Sequence, residues 1–237
     1  MYGANTVVII CSNTAISINA KRNDISVMMD TEKSHKKGYI NWYLKTNAHD
    51  NRMRMVVGMD NHKLPQTIGE LDITAYFSQN QETRGHDIKA WVAPTTFMIS
   101  DSLWHIHPAT ITFKDNNINI NGISINTSKS KNTANREARG IEINGCISKE
   151  TDDSVSINLK NIDVGYVLSL VNLKAVSFDG KATGTVAARN LMTHPDANAT
   201  LRVDNFQFNN ADLGTLDVNA NWGKTDHFLT LEAEIND

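Results

Sequence analysis

A chain of 237 residues with 40% hydrophobic and 21% charged content is long enough to bury a substantial core and too apolar to be disordered. Its net charge of −3 gives no electrostatic reason to expect a nucleic-acid partner. The opening apolar run VVIIC is far too short to cross a bilayer and lacks the basic flank and cleavage site of a secretory leader, which leaves a cytoplasmic chain or an excised piece of a longer one.

From the start, short strand-like segments follow one another: TVVIIC, AISINA, ISVMMD, YINWYL, MRMVVGMD, ELDITAYF, IKAWVA, TFMIS, ATITF, NINI, GISIN, GIEINGCIS and SVSINL. Their spacing of about ten residues, with turn signals between, predicts an all-β architecture. Longer polar loops are expected at 60–70, 78–86 and 128–140. Lys33, Lys36 and Lys37, and then Lys129, Lys131, Arg136 and Arg139, form local basic runs in polar segments and read as solvated loops.

One short helix is expected near 164–173, capped by Asp163, because Val164, Val167, Leu168 and Val171 recur at helical spacing. It would plug an end or corner of the sheet. Beyond it the alternation is clearest: Val176, Phe178, Ala182, Val186 and Ala188 keep close to one parity, while Ser177, Asp179, Lys181, Thr183, Thr185 and Ala187 take the other. A period of two defines a strand with one apolar and one wet face. ATLRVDNFQF, LGTLDVNANW and LTLEAEI continue the pattern to the end. With 28 Asn against 4 Pro and 13 Gly, the chain has many residues that tolerate left-handed backbone, which suits a meander of many short turns.

Asn41 and Trp42 in NWYLKTNAH echo Asn221 and Trp222 in NWGKTDH, which suggests a repeating array with a long period. Cys11 and Cys146 lie far apart and read as buried free thiols. Asn126 and Asn198 each begin an N-x-S/T triplet, a match that arises by accident in a chain this rich in Asn.

Candidate chemistry is sparse. In WHIHP, His105 and His107 stand two apart and would share a strand face, a geometry that can give two zinc ligands but needs a third. The plainer reading is two polar residues at a strand end before Pro108. Asp152 and Asp153 in KETDDS read as a turn rather than as a catalytic carboxylate pair. Trp42, Trp91, Trp104 and Trp222 are scattered, as core or rim anchors would be, although a carbohydrate platform could use them. The common hydrolase, metalloprotease, P-loop and dinucleotide signatures do not occur. No cofactor is expected, and the chain reads as non-catalytic.

The segments SLWHIHPATITFKDNNINING, GIEINGCIS with its acidic turn and SVSINLKNIDVGYVLSLVNL, AVSFDGKATGTVAARNL and THPDANATLRVDNFQFNNADLGTLDVNANW resemble the TamB (translocation and assembly module) and AsmA-like envelope proteins. The resemblance covers 99–237, with 1–98 as the tail of a preceding β repeat. It implies an elongated, curved antiparallel sheet enclosing a greasy groove, an interior piece of an inner-membrane-anchored parent in the periplasm. The implied function is shielding of phospholipid acyl chains, with support for outer-membrane protein assembly. The barrel assembly partner would be met through parts of the parent outside this chain, since neither the membrane anchor nor the partner-binding end of the family pattern is recognisable here.

Read on that basis, Ile111, Phe113, Ile118, Ile120, Val176, Phe178, Val186, Leu201 and Val203 are the expected groove lining. A two-sheet sandwich acting as a secreted carbohydrate- or protein-binding module is the alternative, and a metal-dependent hydrolase built on His105 and His107 a distant third. Periodicity alone leaves the open groove and the sandwich unseparated.

Overall fold

The computed structural model describes residues 5–11, 14–21, 24–35, 38–61, 67–80, 85–99, 102–127, 138–150, 153–165, 177–223 and 229–236. Almost all of them are strand, every described pairing is antiparallel, and the chain divides into two compact units, Met1–Asn116 and Asn117–Asp237. The all-β reading holds.

In the first unit β1 (Asn5–Cys11), β2 (Thr14–Lys21), β3 (Asp24–His35), β4 (Gly38–His49), β5 (Arg52–Asn61) and β6 (Thr67–Gln79) pair in chain order. The far side of β6 is then shared. Its Ile73–Gln79 end pairs β7 (His86–Val92), which pairs β10 (Ala109–Lys114). Its Thr67–Gly69 end pairs β8 (Thr95–Ile99), which turns back into β9 (Ser102–Ile106). The loop expected at 60–70 is thus shorter than the sequence suggests. Thr67–Gly69 is short and Gly-containing but pairs with both β5 and β8, so a ladder on each side overrides weak strand propensity. Strand likewise reaches Gln79 and resumes at His86, within the span 78–86.

The second unit is a plain meander: β11 (Asn117–Thr127), β12 (Gly140–Ile147), β13 (Ser154–Asp163), β14 (Phe178–Arg189), β15 (Asp196–Phe208), β17 (Thr215–Trp222) and β18 (Leu229–Asn236), with the two-residue β16 (Ala211–Asp212) folded onto the end of β15. Neither unit closes into a barrel, and among the described residues each is one sheet, not two facing sheets. Of the expected helix, Val164 and Gly165 are helical and the remainder lies outside the described residues. Asp163 is the last residue of β13, and its carboxylate pairs with the Lys181 ammonium on β14.

Three register shifts in this unit share one form. On β11, Asn121 and Gly122 stand opposite the single residue Asn144, between the pairs Ile120 with Gly145 and Ile123 with Ile143. On β13, Lys160 and Asn161 stand opposite Thr183, and on β15, Asn205 and Phe206 stand opposite Gly180. Each bulge holds one residue in the left-handed region: Gly122 at φ 69, Asn161 at φ 51 and Asn205 at φ 52. A bulge of this kind leaves a backbone N–H out of the ladder. The facing residue supplies the missing acceptor in two of the three: Gly122 N–H donates to Asn144 Oδ1 at 2.8 Å, and Asn161 N–H to Thr183 Oγ1 at 3.0 Å.

A bulge also shifts side-chain parity by one. Apolar residues change from even to odd along β11 (Ile118, Ile120, then Ile123, Ile125) and from odd to even along β13 (Leu159, then Ile162) and β15 (Val203, then Phe206). Without the extra residue each strand would turn half of its apolar side chains to the wrong face. The high Asn content therefore serves bulges as well as turns. The turns use it too: Asp50, Asp115, Asn116, Asn190, Asn209 and Asn210 all have positive φ.

Candidate functional site

Register places the apolar residues of the second unit in continuous cross-strand rows. Ile157 faces Val186, Val186 faces Ala199, Ala199 faces Ala220 and Ala220 faces Leu231. Beside that row run Val155, Ala188, Ala197, Trp222 and Leu229 on one side, and Leu159, Gly184, Leu201, Val218 and Ala233 on the other. Val203 at 5% exposure and Phe206 at 6% are buried with Ala182 where Val164, Phe178, Leu213 and Leu216 pack over them. Toward β18 the same face opens: Trp222, Leu229, Leu231 and Ile235 are half or more exposed. No described side chain is completely buried. The face is therefore packed by its own chain at one end and bare at the other.

The reverse face is mostly polar, with Ala187 and Cys146 among its residues. Glu142 faces Asn158, which faces Thr185, whose hydroxyl donates to Asn158 Oδ1 at 3.0 Å. Arg202 lies 3.2 Å from Asp204 and 3.6 Å from Asp217. In the first unit the polar side is equally organised: Arg54 grips Asp72 at 2.7 Å, and the Tyr43 ring lies across Gly58 to donate its hydroxyl to Glu70. Burial first, and the Glu70 carboxylate second, push the Tyr43 phenol up to about 12.

Of the residues expected to line a groove, Ile118, Ile120, Phe178, Val186, Leu201 and Val203 fall on the apolar face of the second unit. Ile111 and Phe113 lie on β10 of the first unit, opposite Ala90 and Ile88, half-buried. Val176 lies outside the described residues. Sequence reading missed Ile123, Ile143, Ile157, Leu159 and Phe206, which share this face. The signal was available as a break in parity at a Gly or Asn, in NINGIS, LKNI and VDNF.

The histidines do not share a strand face. His105 is on β9 opposite Thr96, but β9 ends at Ile106 and His107 lies beyond it, exposed. Pro108 follows and has no N–H to extend the ladder. Among the described residues no three His, Cys, Asp or Glu side chains converge as a metal site would require. Asn41–Trp42 stands near the start of β4 and Asn221–Trp222 closes β17, so the echoing dipeptides take different places in their hairpins. Trp104 is buried, stacked on Phe97 with centroids 6.2 Å apart, while Trp42, Trp91 and Trp222 are exposed.

Cys146 is free and half-buried rather than buried, and the Cys11 side chain lies outside the described residues. Burial first, and then the hydrogen bond to Asp153 and its charge, push the Cys146 thiol up. Asp153 also accepts the Ser148 hydroxyl, whose oxygen accepts from Glu150 N–H at 2.8 Å, so this carboxylate orders a turn. A raised pKa leaves less thiolate at a given pH. In a Cys11→Ser background, iodoacetamide at pH 8 is expected to alkylate Cys146 severalfold more slowly than a free cysteine, and Asp153→Asn to speed the reaction. Alkylation of the parent thiol at the free rate would contradict this account of the Asp153 contact.

Comparison with family models, with curated proteins and with solved structures finds no match to this chain. Among the described residues no helix is long and apolar enough to cross a membrane.

Proposed function

We propose that the apolar face of the Asn117–Asp237 unit receives lipid acyl chains, and that the chain is a non-catalytic segment of a TamB-like envelope protein that carries phospholipid between membranes. The observation that supports this reading most is the unbroken apolar face across seven strands, held in phase by three bulges and bare toward β18. A lipid tail of about fifteen methylenes in water costs ~0.8 kcal/mol for each, or roughly 12 kcal/mol in all. A carrier lowers that cost only where its cover is continuous. Rows of Ile, Val, Leu and Ala that pass from strand to strand without a polar interruption supply such a cover. In this reading the chain works in the periplasm and meets an outer-membrane barrel partner through other parts of its parent.

The test is site-specific photo-crosslinking in the envelope of a Gram-negative host. A benzophenone side chain at Leu201 or Leu231 is expected to yield phospholipid adducts, and the same probe at Thr185, on the polar face of β14, none. Equal labelling at the three positions, or none at any, refutes acyl binding on this face.

A further inference from the structure

Asparagine precedes glycine twice in the chain, at Asn121–Gly122 and at Asn144–Gly145, and register brings the two pairs together: Asn144 is the residue that faces the β11 bulge made by Asn121 and Gly122. This dipeptide has a chemistry of its own. The backbone nitrogen of the glycine can attack the side-chain carbonyl carbon of the asparagine, because glycine has no side chain to obstruct the approach. A five-membered succinimide forms as ammonia leaves, and water then opens the ring to aspartate or, with the main chain rerouted through the side-chain carbons, to isoaspartate.

The structure treats the two pairs differently. Gly145 lies within β12, and a carbon added there would stand 2.1 Å from the Ser154 carbonyl oxygen and 2.7 Å from Val155 Cα. Ladders to β11 and β13 fix its backbone, so the rotation that the attack requires is blocked. At Gly122 an added carbon would meet nothing within 4 Å, Asn121 is exposed, and the extra residue of the bulge interrupts the ladder. The Gly122 N–H is held instead by a side chain, donating to Asn144 Oδ1 at 2.8 Å. The nitrogen must leave that acceptor and shed its proton before it can bond to carbon, so the contact opposes both steps. The other two bulges lack the reactive pair: Asn161 precedes Ile162 and Asn205 precedes Phe206, whose side chains obstruct the same approach.

We propose that Asn121 is a modification site at which deamidation is timed by the Asn144 side chain, and that its isoaspartate product undoes the phase of β11. The reaction consumes one water and releases one ammonia, and it turns a neutral amide into a carboxylate. In the isoaspartyl form one more carbon enters the main chain between Ile120 and Ile123. The bulge keeps Ile118 and Ile120 on the face that Ile123 and Ile125 share. A longer main chain at that point removes the match between β11 and β12 on one side of it. Asn144 is a positioning residue: it holds the attacking nitrogen and takes no part in the bond changes. The site needs no ligand on the apolar face and is independent of acyl binding.

The experiment is incubation of the full chain in mildly alkaline buffer, with peptide mass mapping for the exchange of NH2 for OH and isoaspartyl methyltransferase labelling for the rerouted product. Asn121 is expected to convert at least tenfold more slowly in the folded chain than in the free peptide NINGIS, with Asn144 unchanged over the same period. Asn144→Ala should bring Asn121 within threefold of the peptide rate, and Asn144→Asp, which keeps an acceptor facing Gly122, should leave it slow. Thr183→Ala is the control for general loosening, since it removes the matching acceptor at the β13 bulge. Asn121 should convert there at the rate of the unaltered chain. In the isoaspartyl product, amide protection should fall in β11 and β12 and persist in β17. Peptide-like conversion in the folded chain, no acceleration in Asn144→Ala, fast conversion in Asn144→Asp, equal acceleration in Thr183→Ala, or earlier conversion of Asn144 overturns the timing by Asn144. Unchanged protection in the isoaspartyl product overturns the phase change.

Discussion

Phe206→Ala is expected to lower the stability of the second unit by about 3 kcal/mol, toward the lower end of the range for large aromatic truncations in cores. Phe206 is 6% exposed, stacks on Phe178 with centroids 6.3 Å apart, and belongs to the cluster that Val164, Leu213 and Leu216 cover. Its backbone bonds, from Phe206 N–H to the Gly214 carbonyl at 2.7 Å and from Leu213 N–H to the Phe206 carbonyl at 2.9 Å, remain in the variant, so the loss measures the side chain alone. A domain of this size has roughly 5–15 kcal/mol of stability, so the loss is a large share. Urea unfolding followed by circular dichroism checks it. Phe208→Ala is the control: that ring is 38% exposed and contacts Phe178 from the edge of the cluster, so its removal should cost about 1 kcal/mol. Similar losses for the two variants would mean that no packed cluster exists at this end of the face.

Gly184→Val is the second substitution with a large expected effect. Gly184 has φ 153 and lies in the middle of β14, opposite Leu201. A side-chain carbon there would stand 2.1 Å from the Thr200 carbonyl oxygen and 2.9 Å from Leu201 Cα. Both are backbone atoms of a strand held by ladder bonds on each side, so neither can retreat without breaking the β14–β15 pairing. The backbone conformation alone costs a larger residue roughly 1–3 kcal/mol, and overpacking about as much again. The expected outcome is a lowered unfolding midpoint, with loss of amide protection concentrated in β14 and β15. Gly140→Ala provides the contrast: its added carbon would meet only ordinary contacts, at 3.6 Å to the Ile125 carbonyl oxygen and 3.7 Å to Asn126 Cβ. If Gly184→Val were as stable as Gly140→Ala, the close approach of β14 to β15 would be wrong.

The two large effects arise from one arrangement. A sheet whose apolar side is only partly covered by its own chain must get its order from ladder bonds, from phase and from a small packed end. Phe206 sits at that end, and Gly184 sits where β14 lies too close to β15 for a side chain. Trp222, Leu229, Leu231 and Ile235 are half or more exposed while Phe206 is buried, so truncation at Phe206 reads folding and photo-crosslinking reads the proposed acyl contact.

Much of this was legible in the residues. The period of two in VSFDGKATGTVAAR sets which side chains of β14 share a face, because a strand turns 180° at each residue and β14 carries no extra residue of its own. The polar, Asn- and Gly-rich punctuation marks most of the hairpins for the same reason, since turn conformations are set within a few residues. Strand ends were less accessible: Thr67–Gly69 lies outside the segment read as strand and becomes strand because β5 and β8 lie on either side. His105 and His107 could not be assigned to one face without knowing that β9 stops at Ile106.

Local chemistry therefore determined that this protein is a series of two-faced antiparallel strands. What the tertiary structure decided is which strand lies beside which, and in what register. Asn161 and Asn205 read as turn residues in isolation, and their function in holding Ile162 and Phe206 on the apolar side exists only because β14 runs past both with one residue fewer. The extent of the bare face follows from the same cause: exposure depends on what the rest of the chain places above a side chain, and no residue carries that information in its own identity.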